Sequence, residues 1–259
     1  MLANLFHTVL YQPIFNIFVG IYNLIPGHDV GVVIIIITVL VRLALYPLTN
    51  SSLKAQKSIQ DIQPKIDEIK KKYATDKQAQ SLALMQVYKD NKVNPFASCL
   101  PLLIQLPILI ALYMVMRAGL TTDNFTEVLY PFITNPGHLN PISFGFLDLA
   151  KPNYILPILA GLAQFWQAKS MNLTPAPKAA GTGAKDENMM SMMNKQMLYF
   201  MPALTVIIGF QLPGGLVIYW LFTTLLTVAQ QKMVFGKDKK KETKITPPPA
   251  NVIEGKIEE

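Results

Sequence analysis

Arg42 is the residue that sets the problem. It lies in Val30-Gly31-Val32-Val33-Ile34-Ile35-Ile36-Ile37-Thr38-Val39-Leu40-Val41-Arg42-Leu43-Ala44-Leu45-Tyr46-Pro47-Leu48, a run long and apolar enough to cross a bilayer. At about 1.5 Å per residue the guanidinium falls about 18 Å along a hydrocarbon core roughly 30 Å thick. Even on a mild insertion scale such a charge costs about 2.5–3.5 kcal/mol. No Asp or Glu falls within any of the five apolar runs, so no internal carboxylate neutralises it. Three arrangements satisfy the cation. It snorkels past Leu43 to Leu48 to the interface, or carbonyls and side-chain amides take it up in a dry bundle. In the third, preferred here, it faces a watery cavity open to the cytoplasm and awaits an acid on another molecule. Polar residues at membrane depth favour the cavity: Thr38 one turn before Arg42 on the same face, Gln105, Gln164, Gln167, and Tyr219, Trp220, Thr223, Thr224 and Thr227 further on. Tyr219, Thr223 and Thr227, spaced by four, form one stripe on a helix. Threonine often bonds its own helix backbone, so Arg42 and the two glutamines Gln105 and Gln164 carry more weight.

Other chemistry is poorly provided for. His7, His28 and His138 fall in segments expected outside, and the lone Cys99 lies near the inner end of the second run, so no triad or metal set assembles. No phosphate-cradling Gly-Lys-Ser/Thr motif is present and no His-Glu-x-x-His run. The expectation is a protein that is not an enzyme and uses no cofactor or metal.

The elements that must position Arg42 are helices. The chain has 259 residues, 51% hydrophobic and 15% charged, with mean hydropathy +0.31. That is a membrane composition, and the net charge of +7 suits anionic lipid or nucleic-acid-bearing partners. The fold class expected is all-α: a polytopic membrane protein with five transmembrane helices, a cytoplasmic antiparallel helical hairpin and an N-terminal interfacial helix. Residues 1–27 carry no charged side chain. Asn4, Thr8, Gln12, Asn16, Gly20 and Asn23 make one polar stripe there, interrupted by Pro13, so this segment is expected to lie in the outer interface. The first span occupies 28–50. Residues 51–93 form the hairpin, with Ile59, Ile62, Ile66, Ile69 and Tyr73 at alternating steps of three and four. Pro64 should bend its first arm, and Leu82, Met85, Val87 and Tyr88 should supply the facing side. The second span is 94–118, an outer loop with short helical pieces 119–153, and the third span 154–171. A cytoplasmic loop follows at 172–195, then the fourth and fifth spans at 196–235. Residues 236–259 read as a disordered basic cytoplasmic tail.

Charge sets the orientation. Segments 53–92, 169–195 and 232–244 hold nineteen lysines between them, whereas 1–29 and 118–153 hold one. By the positive-inside rule the first three are cytoplasmic, with the N-terminus outside and the C-terminus inside.

An ordered set of motifs is similar to the YidC/Oxa/Alb membrane-protein insertases. It comprises Ile34 to Leu48 with its single Arg, Gln63-Pro64-Lys65-Ile66 leading to Lys72-Tyr73, Asn94-Pro95, and Cys99-Leu100-Pro101-Leu102-Leu103-Ile104-Gln105-Leu106-Pro107. Phe146-Leu147-Asp148-Leu149 with Pro152, Tyr154 to Pro157, and Gly214-Gly215-Leu216-Val217-Ile218-Tyr219-Trp220 complete it. The resemblance covers about residues 5 to 235. It implies a groove open to the cytosol and laterally to lipid, with the family's arginine at Arg42. It further implies a membrane insertase and chaperone that takes nascent hydrophobic segments from the cytoplasm and releases them sideways, without ATP hydrolysis. Nascent membrane proteins, the ribosome (met by basic tail and hairpin), the Sec translocon, the signal recognition machinery and the lipid bilayer are the expected partners. The rival reading is a small-anion transporter or channel using the same arginine, but no internal repeat supports it.

Overall fold

The computed structural model describes residues 2–94, 100–121, 125, 127–170 and 196–242, and these are mostly helical. The chain opens with α1 (Leu2–Phe6), a π-helical turn His7–Tyr11 and α2 (Gln12–Leu24). The π turn has a local cause. Pro13 has no N–H to give, and the Gln12 N–H reaches back to the His7 carbonyl instead. The same pairing recurs at Gln196–Phe200, where a π turn precedes Pro202 in the first turn of α9 (Met201–Gly209).

α3 (Val30–Ala44) begins at Asp29, whose carboxylate accepts from the Gly31 and Val32 N–H groups. It ends earlier than the apolar run suggests. At Leu45 the chain turns through 67° into α4 (Tyr46–Asp61), with Pro47 in the first turn of the new helix. The expected 28–50 span is therefore a straight helix of 15 residues plus an elbow. Pro47 explains the break, because it cannot donate to the Leu43 carbonyl. α5 (Gln63–Lys72) follows a second break at Ile62, with Pro64 in its first turn, and α6 (Lys77–Asp90) packs against it. Lys65 donates to the Asn91 side chain and Gln80 to the Lys70 carbonyl, so the two run antiparallel. Ile62, Ile66 and Val93 are buried between them, with Ile59, Leu84, Val87 and Tyr88 alongside. Leu82 and Met85, expected in that seam, point outward instead, because the register places Leu84 on the inner face.

α7 (Leu100–Thr121) and α8 (Ile155–Ser170) are followed by α9 and by α10 (Gly214–Glu242), which packs on α8 and α3. α10 stays helical to Glu242, into the segment expected to be disordered from 236. The expected 172–195 loop and the motif residues 95–99 lie outside the described residues. Two helices, Asn4–Leu24 and Leu103–Leu120, are each long and apolar enough to cross a membrane, and the bent α3–α4 pair makes a third candidate.

The loop after α7 departs from the expected short helical pieces. It carries a two-stranded antiparallel sheet, β1 (Ile142–Ser143) and β2 (Leu147–Asp148), with Ile142 opposite Asp148. The loop is stitched to the helix ends. Asn16 takes the Tyr130 N–H and donates to the Val128 carbonyl, Asn23 donates to the Thr134 carbonyl, and the Tyr22 hydroxyl accepts from the Asn140 N–H. Asp29 accepts from Phe144 N–H at 2.6 Å, and the Gly31 N–H meets Ser143 Oγ at 2.6 Å. Gln12, Asn16 and Asn23 of the N-terminal polar stripe thus face protein backbone, whereas Asn4 and Thr8 are exposed. Two glycines let the loop approach: a Cβ on Gly31 would stand 2.8 Å from the Phe144 ring, and one on Gly119 would stand 2.7 Å from Leu139. At its far end the Lys151 and Leu149 carbonyls accept from Gly214 and Gly215, fixing the start of α10.

The apolar core lies at this same end. Phe15, Phe18, Val19 and Tyr22 of α2 pack with Val30, Val33, Ile34 and Ile37 of α3. Leu112, Val115 and Met116 of α7, Phe125, Leu139 and Leu149 of the loop, and Leu216, Ile218 and Tyr219 of α10 complete it. Beyond Ile37 the character of α3 changes, and Val39, Leu40 and Leu43 are exposed.

Candidate functional site

α10 carries a polar spine. Tyr219, Thr223, Thr227 and Gln230 follow one another at steps of four, four and three, which keeps them on one helix face. The four rungs meet three partner helices. The Gln105 amide of α7 donates to the Tyr219 hydroxyl. Arg42 of α3 donates through Nη2 to the Thr223 carbonyl at 2.7 Å and to the Thr227 hydroxyl. Thr49 of α4 and Gln230 exchange hydrogen bonds at 2.9 and 3.2 Å, both buried.

Arg42 occupies the last turn of α3, where the helix dipole favours a cation. It is half-buried, and among the described residues its bonds go to neutral oxygens and none to a carboxylate. Its Nε is buried, with no acceptor among the described residues. A buried, charged N–H without a partner is costly to leave unmet, so this is a place where an arriving acceptor gains more than at a water-exposed arginine. Tyr219 lies close enough to interact electrostatically with the guanidinium.

The remaining expected site residues take varied positions. Thr38 is fully buried and its hydroxyl donates to the Ile34 carbonyl at 2.6 Å, the back-bond common for threonine in helices. Gln164 of α8 accepts from the Thr205 hydroxyl of α9, a pairing separate from the Arg42 cluster. Trp220 is half-buried next to Tyr219 and takes the Thr224 hydroxyl on its carbonyl. Arg42, Gln105, Tyr219 and Thr223 are therefore brought together along α10, whereas Thr38 and Gln164 have partners of their own. Three residues escaped the sequence reading. Gln230 extends the stripe by one further step and was legible as such. Thr49 and Thr205 were not, because their partners lie 181 and 41 residues away.

A helical bundle whose apolar core gives way to a polar spine bearing one half-buried arginine defines a helical membrane protein. The chain matches the family model described as "60Kd inner membrane protein" over residues 20–242, and it belongs to that family. It is 36% identical over 209 residues to the membrane protein insertase YidC of Fusobacterium nucleatum subsp. nucleatum, covering 80% of this chain and 86% of that one. It is 32% identical over 235 residues to the membrane protein insertase YidC of Shewanella halifaxensis, covering 91% of this chain but only 38% of the relative. Among solved structures, one described as "Active YidC insertase crystal structure with the first transmembrane domain resolved" aligns with TM-score 0.53 at 28% identity, over 78% of this chain and 41% of that one. The resemblance seen in the motifs is thus confirmed across most of the chain.

Proposed function

We propose that this chain is a membrane protein insertase and chaperone in which Arg42 receives an acidic group of an incoming chain. The observation that carries the reading is the half-buried guanidinium held, among the described residues, by neutral oxygens, with no acceptor there for Nε. A substrate carboxylate, arriving with some of its water, forms a charge-assisted bond there. The Thr223 carbonyl and Thr227 hydroxyl remain as competing acceptors, so the pair is strong enough to recruit and weak enough to release. Exposed Leu103 and Leu106 of α7 and Leu40 and Leu43 of α3 offer an apolar path for the substrate helix into lipid. Burial of that helix in hydrocarbon supplies the driving force. A membrane potential adds about 2.3 kcal/mol per charge per 100 mV for an acidic segment moving outward.

The orientation follows the lysine count: hairpin and tail in the cytoplasm, outer loop outside, in the inner membrane. α2 lies in the outer interface under this reading. The loop accompanies it from Gln12 to Asn23, about 16 Å of helix, and irregular backbone over such a length is poorly tolerated in hydrocarbon. The basic hairpin and tail would meet ribosomes by charge, with the Sec translocon and signal recognition machinery as further partners.

Reconstitution of the purified protein in liposomes tests the reading. Arg42→Ala and Arg42→Glu should stop insertion of substrates with acidic translocated tails, Arg42→Lys should retain part, and neutral-tailed substrates should be little affected. Normal insertion of acidic-tailed substrates by Arg42→Ala would make the cation structural.

A further inference from the structure

The loop that closes one end of the bundle also carries large apolar side chains that the fold leaves uncovered. Phe146 is 81% exposed and Phe132 79%, and beside them stand Tyr154 at 75% and Leu24 at 83%. All four belong to the same end of the molecule. Leu24 terminates α2. Phe132 runs beside the last turns of α2, where Ile133 rests on Gly20 and Asn23 bonds the Thr134 carbonyl. Tyr154 precedes α8, its ring 5.9 Å from that of Phe210 at the end of α9. Phe146 leaves the β1–β2 turn, which is moored to the first turn of α3.

That turn is built, not slack. Phe144 adopts φ +55°, unusual for a bulky side chain, and Gly145 φ +80°. The Asp29 carboxylate on the Phe144 N–H and the seat of its ring over Gly31 hold the conformation. Its result is to turn Phe146 outward, next to the N-terminus of α3. Between Pro131 and Phe146 there is no Asp, Glu, Lys or Arg. A charged partner protein would find nothing complementary there, whereas exposed rings on a neutral polar loop are the composition of a membrane–water boundary.

We propose that residues 130–146, with Leu24 and Tyr154, form a lipid-interface anchor, Phe132 and Phe146 entering the boundary between headgroups and acyl chains. The ligand is the phospholipid surface itself, met through apolar rings and not through headgroup charge. The proposal rests on the reading above only for naming the leaflet as the outer one.

The full-length protein in phosphatidylcholine–phosphatidylglycerol vesicles provides the test. Phe146→Trp and Phe132→Trp are each made with Trp166→Phe and Trp220→Phe, giving one reporter at a largely exposed position. The expected result is blue-shifted emission, at least about twofold stronger quenching by lipids brominated near the glycerol end of the chains than by aqueous iodide, and no dependence on added protein. Water-like emission quenched by iodide and indifferent to brominated lipid would overturn the proposal. So would shielding that arises only when a second membrane protein is added. An environment-sensitive fluorophore on Phe146→Cys in a Cys99→Ser background, with both native tryptophans kept, repeats the measurement independently. These readouts need no insertion activity. If the Arg42 assay fails while lipid quenching stands, the insertase reading falls alone.

Discussion

The two ends of this bundle solve opposite problems. At the loop end, backbone and side-chain groups are matched in detail: Asn16 serves both Val128 and Tyr130, Asp29 serves Gly31, Val32 and Phe144, and Leu139 and Leu149 are fully buried. At the Arg42 end, polar groups are present but less fully used, with Arg42 Nε buried and without an acceptor among the described residues. α3 passes through both regimes within 15 residues. Under the proposed function, satisfaction and function trade against each other here: the end that stays shut is stitched, and the end that would accept a guest keeps polar capacity in hand.

The sharpest way to break the comparison is Arg42→Ala. Loss of insertion of acidic-tailed substrates by about tenfold or more, with thermal stability nearly kept, would set the inner end apart as functional. Next comes Gly31→Val, which drives a side chain into the Phe144 ring and Ser143 Oγ. It should cost about 3 kcal/mol by overpacking, read as a lowered melting temperature in detergent, with tail selectivity unchanged in what still folds.

How far the sequence foretold this contrast depends on the range of the interactions. The arginine, the stripe at Tyr219, Thr223 and Thr227, and the hairpin seam at Ile62 and Ile66 were legible because helical periodicity is local. The elbow at Leu45 was half legible: Pro47 marked an end to the apolar run, but nothing local says that a second helix begins at Tyr46 at 67° to the first. The stitched loop was illegible. Its bonds join residues more than a hundred positions apart, and the polar stripe from Asn4 to Asn23, read as facing headgroups, is spent partly on Val128, Tyr130 and Thr134. Thr38 shows the reverse failure. Its spacing put it beside Arg42, yet its hydroxyl turns back to Ile34, because an unpaired hydroxyl in an apolar core takes the nearest carbonyl.

Smaller perturbations sharpen the boundary between the two ends. Asn16→Ala strands the Tyr130 N–H and should cost about 2 kcal/mol, seen as faster amide exchange around Val128 to Tyr130 and nowhere near Arg42. Thr49→Val leaves the buried Gln230 amide without its partner and should cost about 1 kcal/mol, with Thr49→Ser restoring most of it.

The smallest effect is a pH dependence confined to the loop end. Partial burial alone would raise the Asp29 carboxyl, but bonds from Phe144, Ser143, Val32 and Gly31 outweigh it and hold the group below the usual carboxylate range. Its folded pKa being depressed, the stabilisation is full above the unfolded value of about 3.9 and fades as pH falls through the folded one. Melting of the loop followed from pH ~5 down to pH ~3 should show this loss, and Asp29→Asn should flatten it.

The elbow after Ala44 has one more consequence. Thr49 bonds the Leu45 and Tyr46 carbonyls at the bend and Gln230 across it, so the joint is pinned to α10 from within. The arm formed by α4 is about 24 Å long, and it cannot pivot about Leu45 alone. Tugging on its far end must either rupture that pin or drag α10, and with α10 the oxygens of Thr223 and Thr227 that cradle the guanidinium. Whatever grips the hairpin is thereby mechanically geared to the cation.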